Sequence, residues 1–318
     1  MGVRCVTYGG RIGWFLRKHF SYITSDAYLN MQYMLRRKLF REYIQWFELH
    51  SMDNIPLPCL VSIETINRCN STCGFCPVNR NADKRPFAKM SEELFRSIIG
   101  QLKDWNYDGW LNLYVNNEPL IDKRIEERYE FAKKELPKAK MLLYTNGTLM
   151  TWKRFQRLAA VIDKMIINNY TNRLKLHRNI EDIYKKAKKD PYFNSKDITI
   201  QIRYINEILT NRAGEAPNKK EPIRKFHREC IMPFTDITIY PDGTFGLCCN
   251  DALEKTSLGV FSEKNSIPDI WRSDNYQSLR QLIGKDREKY SFCSGCDFFD
   301  AGIRNDFLRE RMKNRNIN

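Results

Sequence analysis

The chain has no apolar run approaching the roughly 18 residues that cross a bilayer, and its start lacks the charged, apolar and small segments of a secretion signal. It is not a secreted disulfide scaffold, because its ten cysteines are spread over 318 residues and such scaffolds are short and cysteine-dense. No cysteine follows Cys296, and none lies between Cys76 and Cys230. Basic stretches at 35–38, 185–189, 219–220 and 309–315 lack the interleaved aromatics of an RNA-binding motif. Spanning, secreted and nucleic-acid-binding classes are therefore not expected, and a reducing, cytoplasmic compartment is.

The composition has enough apolar matter for real cores, at 42% hydrophobic and 13% aromatic residues. A formal charge of +15 suits an anionic partner: a phosphorylated or nucleotide-linked small molecule, or anionic lipid. A plain solubilising surface is the alternative.

Three cysteines dominate the sequence. Cys69, Cys73 and Cys76 stand as Cys-x3-Cys-x2-Cys between Asn67 and Pro77. A structural zinc site closes with four protein ligands. Here the local count stops at three, with no His or fourth Cys close by. A cubane iron–sulfur cluster takes a ligand on each of four irons, so three thiolates leave one iron open for something that reacts. A zinc knuckle and three buried thiols are the competing explanations.

A second set follows: Cys230, Cys248, Cys293 and Cys296. Alternating residues on both sides of Pro241-Asp-Gly243 predict a hairpin over 236–248 with Asp-Gly at its turn. Gly243 precedes Cys248 as Gly-x4-Cys, and a helix is expected from about Ile270 to Leu282. Four thiolates fill one cluster, although a zinc site also accepts four. Cys5, Cys59 and Cys249 are left over. Cys249, beside Cys248, is a packed small hydrophobe or, on the sharper alternative, a hydrogen-donor thiol.

Between the two sets, strands and helices alternate. Strands are expected at 60–65, 110–115, 141–144, 164–167 and 198–205, with helices at 121–134, 152–161 and 180–189 and one capped by Ser91. Repeated strand–helix units imply parallel strands joined by crossovers. The expected fold is α/β, a parallel open barrel with a small C-terminal domain. The cysteine loop, Asn116-Asn-Glu-Pro119, Thr145-Asn-Gly147 and Asn168-Asn169 all fall at carboxyl ends of strands, where α/β barrels gather their chemistry.

The loop, with the aromatic Phe75 just before its third cysteine, resembles that of the radical S-adenosylmethionine (SAM) enzymes. The second set resembles their auxiliary-cluster module, SPASM in its long form and twitch in its short form; four cysteines match the short one. Its spacing is similar to that of aminocyclitol dehydrogenases of aminoglycoside biosynthesis. The resemblance implies two [4Fe–4S] clusters, one holding SAM through its open iron and one fully ligated. It implies cleavage of SAM to a 5′-deoxyadenosyl radical and hydrogen abstraction from a small sugar, aminocyclitol or anionic substrate. The fully ligated cluster then serves as electron sink for a two-electron oxidation, and an external donor such as flavodoxin or ferredoxin supplies the first electron. Asn116-Asn117-Glu118-Pro119 takes the place of the family's Gly-Gly-Glu-Pro turn, so Glu118 is expected at the SAM amino group. Asn tolerates positive φ better than most residues, which would preserve the turn. Thr145, Asn146 and Asn168 are expected along the cofactor cleft, and Arg203 at the SAM carboxylate. Alternatives are a peptide or protein maturase, a redox-neutral epimerase, and a non-enzymatic metal scaffold.

The domain organisation expected is a basic, aromatic helical extension at 1–57, the barrel at 58–213, the auxiliary module at 214–303 and a frayed basic tail at 304–318. In the extension, a helix from Ala27 to Leu49 offers Tyr33, Leu35, Leu39, Tyr43, Trp46 and Phe47 to an apolar face. Packing on the barrel is the ordinary explanation, and peripheral contact with a membrane surface the alternative.

Overall fold

The computed structural model describes residues 2–19, 21–219, 229–298, 308, 309, 311 and 312, without the side chains of 17, 21–30, 32, 33 and 35. The chain joins its sheet earlier than the sequence suggests. Gly2–Thr7 forms β1, which runs parallel to a later strand at the sheet's edge. Only Gly2 and Val3 in it are buried, so its short pattern gives no core signal. Helices α1 (Gly10–His19) and α2 (Ser21–Glu48) follow. Tyr33 and Leu35 lie outside the described side chains, whereas Phe40, Tyr43, Ile44 and Phe47 of α2 are buried in the core.

The expected strand–helix units then appear in order. They are β2 (Leu60–Ile63), α3 (Glu92–Asp104), β3 (Trp110–Asn112), α4 (Ile125–Glu135), β4 (Lys140–Thr145), α5 (Trp152–Val161), β5 (Lys164–Thr171), α6 (Arg178–Lys189), the short α7 (Pro191–Asn194) and β6 (Asp197–Tyr204). Ser91 caps α3 by accepting from the Leu94 N–H, and Phe95, Ile98, Ile99 and Leu102 form its buried face. Strands β2 to β6 are neighbours in sequence order and pair in parallel, as βαβ crossovers require.

Two differences bear on function. Strand β5 is twice as long as the 164–167 expected, so Asn168 and Asn169 lie inside it, paired with Gln201 and Ile202 of β6. The ladder with β6 carries the strand on through these polar residues, where a sequence pattern ends. After the short α8 (Met232–Thr235), the outgoing hairpin strand β7 (Asp236–Ile239) lies beside β2, in parallel, and extends the barrel's own sheet. Its partner β8 (Phe245–Gly246) closes the hairpin antiparallel. Gly243 takes φ +89° at the turn, a conformation that costs glycine little. The sheet order is therefore β1-β6-β5-β4-β3-β2-β7-β8.

Helices α9 (Ile267–Arg272), α10 (Asp274–Ile283) and α11 (Ser291–Ser294) complete the described fold. The tail expected to fray is largely outside the described residues. Of those described, Leu308 and Met312 are buried, and Arg311 pairs with Asp108 at 2.5 Å. No helix of the described residues is long and apolar enough to cross a membrane.

Trp271 ties three parts of the chain together. It is fully buried, donates its indole N–H to the Pro56 carbonyl at 3.0 Å, meets Phe47 of α2 edge-on at 6.3 Å and carries the Arg280 guanidinium 4.0 Å over its ring. Trp271→Ala removes that volume and leaves a carbonyl unpaired. It should cost about 3–5 kcal/mol of unfolding free energy. A denaturant midpoint that hardly moves would show that the three parts do not depend on this ring.

Candidate active site

The segment after β2 is shaped by asparagines. Asn67 donates its side-chain amide to the Pro86 carbonyl and accepts from the Ala88 N–H, which fixes the path into the cysteine loop. Asn79 gathers the loop from its far side. Its amide donates to the carbonyls of Cys73 (3.2 Å) and Cys76 (2.7 Å), while its oxygen accepts from the N–H groups of Asn81 and Ala82. Sequence analysis missed this residue, although an Asn three places after the last cysteine is a turn signal.

Cys69, Cys73 and Cys76 line an open cleft at the carboxyl ends of the strands. Burial pushes all three thiols up from their ordinary range. Thiolates are sustained in such a place by a bound cationic centre. A single zinc ion gathers its ligands about 2.3 Å from one point. Among the described residues no three His, Cys, Asp or Glu side chains are so gathered. A cubane places each thiolate on a different iron and so takes ligands spread more widely than those of a single zinc.

The walls of the cleft come from successive strand ends. Phe75 from the loop packs on Tyr170 of β5 at 5.4 Å, and Tyr114 lies 5.7 Å from Tyr144. Asn116, Asn117, Glu118, Thr145, Asn146 and Asn168 all line it. Pro119 does not; it begins a buried turn of 3-10 helix behind Glu118. Asn117 Nδ2 and Asn168 Oδ1 are buried with no hydrogen-bond partner among the described residues.

Glu118 differs from the simple picture of a free carboxylate facing a ligand. It is buried and already accepts from the Thr145 hydroxyl (2.5 Å), the Asn146 N–H (2.7 Å) and the Leu120 N–H (3.1 Å). Desolvation raises its pKa and these hydrogen bonds oppose the rise. It thus clamps the β3 end to the β4 end. Its own N–H donates to the Arg68 carbonyl, which binds the turn to the cysteine loop.

Neither Asn116 nor Asn117 has positive φ, so the turn makes no demand for glycine. The asparagine side chains make contacts that glycines lack. Asn116 donates its amide to the Cys249 carbonyl at 2.9 Å and accepts from the Arg212 guanidinium. Arg203 is not among the residues lining the cleft. Its guanidinium pairs with Glu207 and stacks between Tyr8, at 4.3 Å, and Tyr170, at 5.5 Å. The cation that does line the cleft is Arg212, held at φ +49°. No local sequence pattern marks it.

The second set of cysteines converges. Cys248 is buried, and burial followed by its neighbours Cys249, Cys293, Cys230 and Cys296 pushes its thiol well up. Burial pushes the phenol of Tyr114, a cleft residue, up to about 12, and Cys249 adds to the rise.

Three carboxylates, Asp83, Glu254 and the buried Glu64, gather about Arg85. Arg85 binds Asp83 at 3.0 Å and Glu254 at 2.5 Å, and Glu64 stands 3.6 Å away. Arg68 stands 3.6 Å from Asp83, so two guanidinium groups face three carboxylates and Glu64 meets only Arg85. Glu64 is the most deeply buried, and desolvation lifts it to about 8 despite Arg85.

The chain matches the model of the Radical SAM superfamily over residues 63–170, and SPASM, an iron–sulfur cluster-binding domain, over 230–297. It is 26% identical over 240 residues to the S-adenosyl-L-methionine-dependent 2-deoxy-scyllo-inosamine dehydrogenase of Niallia circulans, covering 75% of this chain and 92% of that protein. Its fold is similar to that of BtrN in the crystal structure with AdoMet and 2-DOIA, at TM-score 0.66, 24% identity, 76% of this chain and 94% of BtrN. It is also similar to Streptococcus suis SuiB bound to its precursor peptide SuiA, at TM-score 0.52, 18% identity, 85% of this chain and 76% of SuiB.

Glu64 generates a pH dependence. Its folded pKa stands above the ordinary value of 4.5, so the folded chain keeps a proton that the unfolded chain releases. Its contribution is therefore present below about 4.5 and is lost as pH rises to about 8, with a slope of at most about 1.4 kcal/mol per pH unit. Glu64→Gln should flatten that part of the profile. Equal slopes for variant and parent between these limits, by denaturant unfolding, would place the proton elsewhere.

Proposed function

We propose that this chain, a radical SAM enzyme with a C-terminal SPASM-type module, oxidises a small sugar-like or aminocyclitol substrate by two electrons. The observation that carries the proposal is the ligand arithmetic in space. Three cysteines line a cleft, and four others lie near enough to act on one another, a number that fills a cubane. The 26% identity to a dehydrogenase of an aminocyclitol supports the substrate class. When bound, SAM and the two clusters supply one-electron cleavage to a 5′-deoxyadenosyl radical, hydrogen abstraction from substrate, and an acceptor for the second electron.

The chain's own residues do the rest. Cys69, Cys73 and Cys76 hold the SAM-binding cluster, and Cys230, Cys248, Cys293 and Cys296 the auxiliary one. Glu118 keeps the cleft in shape through Thr145 and Asn146 and offers its remaining lone pair to the SAM ammonium. Asn117 Nδ2 and Asn168 Oδ1, unpartnered among the described residues, supply a donor and an acceptor to the bound molecules. Arg203 supports the wall through Tyr170, and Arg212 faces the substrate. Phe75, Tyr114, Tyr144 and Tyr170 exclude water around the reacting atoms. An external one-electron donor such as flavodoxin or ferredoxin serves the enzyme in a reducing, cytoplasmic compartment. The N-terminal helices make a peripheral contact with anionic lipid. A redox-neutral epimerase is the second reading, and the closeness of Cys249 to Tyr114 favours it, since a thiol there can return a hydrogen.

Anaerobically prepared protein should carry about eight irons per chain, as two cubanes require. Replacing Cys69, Cys73 and Cys76 together with Ala should halve the iron and abolish 5′-deoxyadenosine. Cleavage of SAM by that triple variant would sink the assignment.

The auxiliary set has its own test. Cys293→Ala with Cys296→Ala should leave SAM cleavage in place and stop formation of oxidised product. Cluster ligation contributes to folding, so thermal unfolding is compared first. A folded double variant that still forms oxidised product at the parent's rate would rule out the electron acceptor and move the epimerase reading to first place.

A further inference from the structure

Among the described residues, seven of the eleven exposed large apolar side chains lie between Val6 and Met52, in a part of the chain that the proposed chemistry does not use. On α1, Ile12 is 77% exposed and Phe15 53%. They stand one turn apart on one face. The same helix turns Trp14 inward, edge-on to Tyr204 at the end of β6 at 6.0 Å. Met31 and Met34 repeat the pattern on α2, against which α1 packs. The exposed apolar residues are thus the outer face of helices whose inner face is docked.

The charge on α1 has one sign. α1 carries Arg11, Arg17 and Lys18 and no Asp or Glu, and Arg11 and Lys18 are exposed. A second copy docked there by two-fold symmetry would set these cations against their own images. An anionic lipid surface meets both features at once, taking the apolar side chains into its acyl boundary and the cations among its headgroups.

The position of α1 gives this a consequence. It begins just after β1, beyond the turn at Gly9 and Gly10, whose φ values are +72° and +73°. Tyr8 in that turn is stacked on Arg203, and Arg203 on Tyr170, a wall of the cleft. The helix therefore lies at the same end of the sheet as the cleft. We infer that α1, with Met31 and Met34 of α2, is a docking face for anionic bilayers beside the cleft's mouth. This deepens the lipid contact of the proposed function and stands independently of its radical chemistry.

The test is sedimentation of the cluster-loaded full chain with vesicles of phosphatidylcholine, with and without phosphatidylglycerol. Binding is expected only with phosphatidylglycerol and should weaken with added salt. Ile12→Glu with Phe15→Glu, and separately Arg11→Glu with Lys18→Glu, should each bind about tenfold or more weakly. SAM cleavage in solution should be unchanged in both, which separates this inference from the proposed reaction. In the parent, vesicles should protect the amides of residues 10–19 from hydrogen exchange, a readout that needs no variant to fold. Equal binding to both vesicle types, parent-like binding by either variant, or no protection of α1 would overturn the inference. So would a dimer in solution that Ile12→Glu with Phe15→Glu dissolves.

Discussion

The parallel ladder between β7 and β2 is the constraint on which the site depends. The Cys59 N–H donates to the Thr235 carbonyl, and the Glu64 N–H to the Ile239 carbonyl at 2.8 Å, at the two ends of that pairing. β2 leads into the first cysteine set and β7 leads through its hairpin to Cys248. The distance between the two sets is thereby fixed by hydrogen-bonded sheet, and a hinge between them would have to break the ladder. Asn116 adds a second tie by holding the Cys249 carbonyl from the barrel side. Fixed geometry of this kind is what a reaction needs when a radical formed at one centre is to be oxidised at another.

Two buried carboxylates show how environment assigns different work to one side-chain type. Glu118 has three donors within 3.1 Å, and its burial is compensated by bonds that hold two strand ends together. Glu64 has one long contact, from the Asn116 N–H at 3.4 Å, and a guanidinium shared with two competitors. The first is a structural clamp with a lone pair to spare. The second keeps its proton because burial outweighs a divided counter-charge. Asn116 touches both stories, since its N–H serves Glu64 while its side chain reaches Arg212 and Cys249.

Local chemistry was legible in the sequence, and long-range pairing was not. Cysteine spacing, the Ser91 cap, the Asp-Gly turn and the parallel order of β2 to β6 follow from short patterns with a physical cause. The pairing of β7 with β2 spans most of the chain and leaves no local mark. β1 was missed because an edge strand of six residues buries too little to impose a pattern. Arg203 illustrates the limit for side chains. A strand residue at the right end of the sheet has the right address, yet Glu207 is four residues on and takes the guanidinium. Arg212 reaches the cleft from a backbone with positive φ, a conformation that its sequence does not announce.

The N-terminal segment shows why exposure of apolar residues there is informative. Its second helix buries Phe40, Tyr43, Ile44 and Phe47 in the common core, at about 1.5–3 kcal/mol for each large side chain. That burial secures the segment without any contribution from Ile12, Phe15, Met31 or Met34. A chain that packs its inner face this fully has no need of apolar residues on its outer one, where polar substitutes would serve solubility better. The inner face is explained by folding. The inferred docking on an anionic bilayer assigns a use to the outer one, where α1 supplies cations beside the apolar side chains.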